Sequence, residues 1–298
     1  MASGIIMKAL SGFYYVRPDD APDTIIQCRA RGVFKKKGIT PLVGDRCEYE
    51  PGAPGEGTVT NILPRKTELI RPPVANADTA VLVFSVTNPE LNLRLLDRFL
   101  VHTEHAGLDN IICLSKADLA GSARDQELVR HVTGLYEGIG YPVLLTSART
   151  GEGIGKLLDR LSGRMAVFAG QSGVGKSSLL NAMAPGIRLE TGEVSIRLGR
   201  GRHTTRHVEL IALPNRAVVA DTPGFGQLDF AGMEPEELSG CFVEFAPYAE
   251  QCKFRGCVHR NEPSCAVREA AEQGRIAPSR YEHYGMFFDE LREKKRRY

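Results

Sequence analysis

The sequence predicts a multidomain chain: a small N-terminal β-barrel, a central α/β domain with a parallel sheet, and a small cysteine-bearing C-terminal domain. Three observations carry this. Residues 1 to about 70 hold five short strand-like runs separated by Gly, Pro and Asp clusters. Residues 78 to about 230 alternate apolar, strand-length runs with helical patterns. Residues 233–298 gather three of the seven cysteines within fourteen positions. The domain boundaries are accordingly placed at 1–70, 71–231 and 232–298.

Each zone follows from its pattern. The first-zone strands are expected at 5–10, 13–17, 24–29, 46–50 and 57–63, and five short strands with turn signals suit a barrel. The stretch 64–73, ending Arg71-Pro72-Pro73, reads as a linker, because X-Pro steps disfavour helix. In the second zone the runs 80–85, 111–115, 143–146, 166–169 and 217–220 lack polar alternation, as strands covered on both faces do. Leu93, Leu96, Phe99 and Leu100 have helical spacing, and 126–138 is a second helix. The chain closes on a helix-like tail at 281–298.

Composition narrows the classes. The chain has 298 residues, 42% hydrophobic and 25% charged, which excludes wholesale disorder, a fibre and a disulfide miniprotein. Its 38 Lys and Arg against 36 Asp and Glu give +2, so any basic surface must be local. No apolar run approaches the ~18 residues of a membrane span. Residues 1–10 lack the apolar core of a signal peptide. A cytoplasmic protein without membrane contact is expected, and an odd cysteine count there argues against a disulfide framework.

Gly170-Gln171-Ser172-Gly173-Val174-Gly175-Lys176-Ser177 matches the G-x-x-x-x-G-K-[ST] phosphate loop, between an apolar strand and a helix that opens with Ser178. Glycines let backbone amides wrap phosphates, Lys176 reaches the β and γ phosphates, and Ser177 offers a hydroxyl to Mg²⁺. About fifty residues on, Asp221-Thr222-Pro223-Gly224 follows another apolar run. Asp221 suits the Mg²⁺ water shell and the Gly224 amide suits a γ-phosphate. Between them the Gly- and Arg-rich segment 199–207 offers Thr204 or Thr205 as a further Mg²⁺ ligand, in a nucleotide-sensing loop.

Base recognition lies ahead of the phosphate loop. Ser115-Lys116-Ala117-Asp118 and Thr146-Ser147-Ala148 end two strands and look like the N-K-x-D and S-A guanine motifs of GTPases. An Asp118 carboxylate accepts from guanine N1–H and N2–H₂, where adenine has no donor. Lys116 covers the base, and the Ala148 amide meets O6. Ser115 stands where Asn is usual, and its shorter side chain is expected to forgo a bond to guanine or to the phosphate loop. In Ras-like GTPases the base motifs come last; here the order implies a circularly permuted P-loop α/β GTPase domain. Permutation hangs the third zone directly from the segment after Gly224.

Cys252, Cys257, His259 and Cys265 form C-x₄-C-x-H-x₅-C, a closed set of three thiolates and an imidazole suited to one structural zinc. Cys28, Cys47, Cys113 and Cys241 sit in apolar settings and read as buried small residues; His283 reads as ordinary. Two basic runs, Arg29, Arg31, Lys35, Lys36 and Lys37, and a tail with Arg296 and Arg297, are candidate RNA contacts. Charge runs are as often merely solvated.

Permuted base motifs, a barrel, the cysteine cluster and the opening 4–12 together resemble the RsgA (YjeQ/YloQ) family of small-ribosomal-subunit biogenesis GTPases, over nearly the whole chain. The resemblance implies an OB-fold barrel, a permuted G domain and a zinc domain. It also implies binding to the small subunit and its 16S rRNA late in maturation, stimulated hydrolysis of GTP with Mg²⁺, and contact with other small-subunit assembly factors. Phe225 replaces the glutamine that orients water in Ras-like enzymes, leaving His203, whose family counterpart is the proposed catalytic histidine. A monomer is expected. The alternatives are a nucleotide-occupied RNA-binding scaffold with negligible turnover, and a GTPase acting on another RNA particle.

Overall fold

A computed structural model of the chain describes residues 2–32, 34, 38–70, 73–184, 186, 208–221, 230 and 232–297. Strands β1 (Ala2–Leu10), β2 (Phe13–Pro18), β3 (Ile26–Ala30), β4 (Arg46–Pro51) and β5 (Glu56–Ile62) close into a barrel in the order β1-β2-β3-β5-β4-β1. Only the β3–β5 pairing is parallel. Closure through β1–β4 removes free edges, and the pattern is that of an OB-like barrel. Alternate residues point inward: Ile6, Val16, Cys28, Cys47, Tyr49 and Val59 form the barrel core. Ser11 and Gly12 turn β1 into β2, with φ of 51° and 83°, as a tight hairpin requires.

The expected linker is structured. β6 (Glu68–Ile70) and β7 (Pro73–Ala75) form a two-stranded hairpin. The X-Pro step excludes helix but not an edge strand, and Pro73 sits at a strand start, where a missing N–H is tolerated. Arg65 fastens this segment to the barrel. It donates to both oxygens of the fully buried Asp45 at 2.8 Å, to Glu68 at 2.7 Å and to the Thr40 carbonyl at 2.7 Å.

The central sheet contains β8 (Thr79–Ser85), β9 (Asp109–Ser115), β10 (Val143–Leu145), β11 (Met165–Ala169), β12 (Glu209–Ala212) and β13 (Val218–Asp221), in the order β10-β9-β8-β11-β13-β12. All these pairings are parallel except β12–β13. β12 is an addition to the expected strands: Glu209 opens it and leaves only three apolar residues, Leu210 to Ala212, to mark it. It also carries the barrel, since Lys8 of β1 pairs with Glu209 in register and by a 2.8 Å ion pair.

Helices α1 (Leu93–His105), α2 (Ala123–Ile139), α3 (Ile154–Arg160) and α4 (Lys176–Met183) flank this sheet. Asn92 caps α1, accepting from Leu95 N at 3.0 Å, and a Ser122–Asp125 capping box opens α2. Leu82 and Phe84 of β8 enter one core, Val81 and Val83 the other. Two covered faces explain the missing alternation.

The C-terminal region holds α5 (Ala246–Ala249), α6 (Ala266–Glu272) and α7 (Pro278–Arg297), after short 3₁₀ turns at Pro235–Cys241 and Val243–Phe245. Its core of Phe230, Phe242, Phe245, Tyr284 and Phe287 includes Val101 of α1. A buried charge cluster sits at the same contact. Arg280, fully buried on α7, pairs with Asp97 of α1 and with Glu244, each at 2.7 Å. Tyr136 of α2 donates to Asp97 at 2.6 Å, and His283 Nδ1 lies 2.5 Å from its other oxygen. His283, expected to be ordinary, is a partner in this network.

Candidate nucleotide site and metal cluster

The phosphate loop spans the end of β11 and the start of α4. Gly170, at φ 149°, lies so close to β8 that a Cβ would come within 2.1 Å of the Val83 carbonyl. Gly175, at φ 96°, turns the chain into α4 from the left-handed region, where glycine is favoured. Gln171 is half-buried, Ser172 and Gly173 are exposed, and Val174 anchors the loop in the core. Lys176 bends its ammonium back over the loop, donating to the Gly170 and Gln171 carbonyls at 2.7 Å. Ser177 and Ser178 lie in the first turn of α4, whose free amides and dipole favour an anion.

The base motifs converge on that loop from the neighbouring strands. Ser115, the last residue of β9, donates its hydroxyl to the Val174 carbonyl at 2.5 Å. The expected loss therefore does not reach the phosphate loop: a serine there still makes the bond. Lys116, at φ 56°, donates to the Gly173 carbonyl at 2.7 Å and to the Asn88 carbonyl.

Asp118 accepts from the Ser147 hydroxyl at 2.6 Å on one oxygen and from Arg149 Nε at 2.8 Å on the other. The Ser147 bond first, then Arg149, holds its carboxyl below the usual carboxylate range. Asp118, Lys116, Ala148, Leu119, Gly175 and Asn181 line a cavity of about 510 Å³. Residues more than fifty positions apart thus frame one site, with the base side preceding the phosphate side in the chain.

Asp221 ends β13, beside the phosphate-loop strand. His203, Thr204, Thr205 and Gly224 lie outside the described residues. Of the basic candidates, Arg29 packs its guanidinium 4.9 Å from the centre of the Phe13 ring. Arg31, read from sequence as part of a run without acids, pairs with Glu50 of β4 at 2.7 Å; barrel closure brings that acid in. Lys35, Lys36 and Lys37 are outside the described residues, while Arg296 is exposed and Arg297 is the last residue of α7.

The four expected metal ligands come together, with their ligand atoms all within 4.8 Å of one another. Cys252 Sγ and Cys265 Sγ lie 4.0 Å apart, and His259 Nδ1 lies 3.6 and 3.4 Å from them. A tetrahedral zinc with ordinary bond lengths needs about 3.7 Å between sulfurs and about 3.5 Å between sulfur and nitrogen. The cluster fits zinc. Burial holds the His259 imidazole below its usual range, in the neutral form a ligand needs. Cys265 also accepts from the Arg268 amide at 3.5 Å, so the ligand caps α6. With all four positions filled by protein, a metal held here would be structural.

A family model described as the RsgA GTPase matches residues 62–231, and one for the RsgA N-terminal domain matches residues 3–59. The chain belongs to the RsgA GTPase family. Its relatives include proteins named "Small ribosomal subunit biogenesis GTPase RsgA" from Bacillus velezensis, 51% identical, and Geobacillus thermodenitrificans, 52% identical, each over 100% of both chains. Among solved structures, YjeQ from Thermotoga maritima aligns with a TM-score of 0.87 at 40% identity, covering 97% of this chain and 98% of that one. YloQ, titled a circularly permuted GTPase, aligns at 0.84 and 43%, covering 98% and 95%. As an RsgA-family member the chain is a GTP hydrolase, its permuted order is the one named for YloQ, and its Cys₃His cluster lies C-terminal to both matched ranges.

Two site features escaped the sequence. Arg149 follows the S-A motif directly, and that adjacency was the available signal. The Asp97–Arg280 pair joins residues 183 positions apart, and no local pattern announces it.

Proposed function

We propose that this chain hydrolyses GTP as a late checkpoint in small-ribosomal-subunit maturation. The observation that carries the reading is the Ser115–Val174 bond, which ties the base side of the cavity to the phosphate loop. Asp118 selects guanine, with Ser147 orienting it, Lys116 over the base and the Ala148 amide at O6. The amides of 170–175, with Lys176, Ser178 and Gly224, hold the phosphates. Ser177, Asp221 and either Thr204 or Thr205 would hold Mg²⁺, which would supply positive charge against the phosphates. His203 positions the attacking water in place of the missing glutamine.

The relatives' printed name supplies the small subunit. On it, Arg29, Arg31 and Lys35–Lys37 of the barrel, with Arg296 and Arg297 of the tail, contact 16S rRNA. The GTP state favours tight binding, and hydrolysis favours release. The protein works as a cytoplasmic monomer with one structural zinc; among the described residues no helix is long and apolar enough to cross a membrane.

The test is GTP turnover by the protein alone, with small subunits and with large subunits. Strong stimulation by small subunits alone is expected. Stimulation by large subunits instead, or turnover indifferent to both, overturns the particle assignment. His203→Ala should bind GTP normally and lose stimulated turnover; a normal stimulated rate would remove His203 from the mechanism.

A further inference from the structure

The metal cluster carries a surface that neither its structural role nor the nucleotide site uses. Between the ligands Cys252 and Cys257 the chain makes a tight loop, Lys253-Phe254-Arg255-Gly256, all four residues exposed. The Cys257 amide closes it on the Phe254 carbonyl at 3.3 Å. Gly256 sits at φ 73°, and a Cβ placed there would meet no atom within 4 Å, so the space beside the loop is open. Phe254 is 44% exposed, although the aromatic core of Phe242, Phe245 and Tyr284 lies in the same region.

An exposed ring held at both ends by metal ligands loses little entropy on binding, unlike one on a free loop. Lys253 stands 5.7 Å from the ring centre, and Arg255 is exposed on its other side in the chain. The nearby acids only partly offset these cations. Glu262 is turned inward, accepting from the amides of Val258, Arg260 and Asn261, and Asp289 is paired with Arg260. Glu250, two residues before Cys252, is exposed.

We propose that this loop is a binding site for an unpaired RNA nucleotide. Phe254 stacks on the base, and Lys253 and Arg255 take the flanking phosphates. A π-face flanked by two cations fits a nucleotide better than an apolar peptide, which has no use for the charges, or a carboxylate, which has no use for the ring. Stacking is sequence-tolerant because every base has a π-face, so single-strandedness rather than sequence is selected. The site deepens the rRNA contact proposed above and rests on the reading that the protein works on an RNA particle.

The test uses the full-length, zinc-loaded protein and a 12-nucleotide single-stranded RNA carrying 4-thiouridine, with crosslinks mapped by mass spectrometry. A crosslink within 253–255 is expected. Phe254→Ala should weaken binding of this RNA roughly tenfold, the scale of one base stack removed. Phe254→Trp should keep binding and Phe254→Leu should not. Lys253→Gln with Arg255→Gln should lower the salt slope by about 0.7 for each phosphate that the variant no longer neutralises. Crosslinks confined to other parts of the chain, or Phe254→Ala binding like wild type, would overturn the proposal. Full retention in Phe254→Leu would also overturn it, in favour of an apolar protein contact. The assay uses no ribosomal particle, so it fails or succeeds separately from the turnover comparison that tests the particle assignment.

Discussion

The two ends of the chain solve the same problem differently. The N-terminal barrel closes its hydrogen bonds on itself, with β4 returning to β1, around a core that runs from Cys28 and Cys47 to Tyr49. The C-terminal region has two short helices and the 20-residue α7, no sheet among its described residues, and a loop-rich ligand segment. It is held by a Cys₃His cluster, an aromatic core and a buried ionic contact to α1. A barrel closes its own backbone hydrogen bonds; a small sheet-free unit of this size gains its hold from metal ligands and a neighbour. The unit that depends on its neighbour is also the one that follows Gly224, where nucleotide state is read in the proposed mechanism.

Metal removal should separate the two ends most sharply. Chelation should release one zinc per chain and loosen 233–298, while the barrel keeps its amide protection in hydrogen exchange. Thiol labelling at pH 8 gives a second readout. Cys28 and Cys47, pushed by burial up to about 11 and about 12, should stay unreactive, and Cys252, Cys257 and Cys265 should label only after chelation. Equal loss of protection at both ends would mean that the metal holds the whole molecule.

Next in size is Arg280→Met. It leaves Asp97 and Glu244 buried without their cation, and breaking such a pair costs about 3–5 kcal/mol. Denaturant melts should show that loss, with C-terminal amides exchanging first. A barrel cut of comparable depth, Ile6→Ala, should cost about 2–5 kcal/mol and leave zinc content unchanged. If Ile6→Ala released zinc, the two ends would be one cooperative unit.

Ser115→Ala tests the junction between base and phosphate sides. It leaves the Val174 carbonyl without its hydroxyl donor, worth about 1 kcal/mol, and should weaken GTP binding about fivefold with little change in melting. Smallest is Lys8→Ala, which removes an exposed pair between β1 and β12 worth under about 1 kcal/mol. A much larger loss would show that the barrel depends on the G-domain edge for its closure.

Local chemistry was legible in advance. The phosphate loop is one continuous stretch, so its spacing is its geometry, and the same holds for Cys252, Cys257, His259 and Cys265, which span fourteen residues. The five barrel strands were readable because each is a short β-like run set between Gly, Pro and Asp turn signals. The Asp118 pocket was readable only through motif resemblance, since its partners lie on separate strands.

What tertiary structure alone decided are pairings between distant segments. Nothing in Glu209–Ala212 announces an antiparallel edge strand that carries the barrel. The stretch around Arg65 becomes structure because Asp45, twenty residues earlier, accepts its guanidinium. Arg280 is an ordinary helix residue until α7 lays it against Asp97 and Glu244. Sequence determines the torsions, patterns and ligand spacings that act over a few residues; which distant charge meets which is settled only when burial makes an unpaired one too costly to keep.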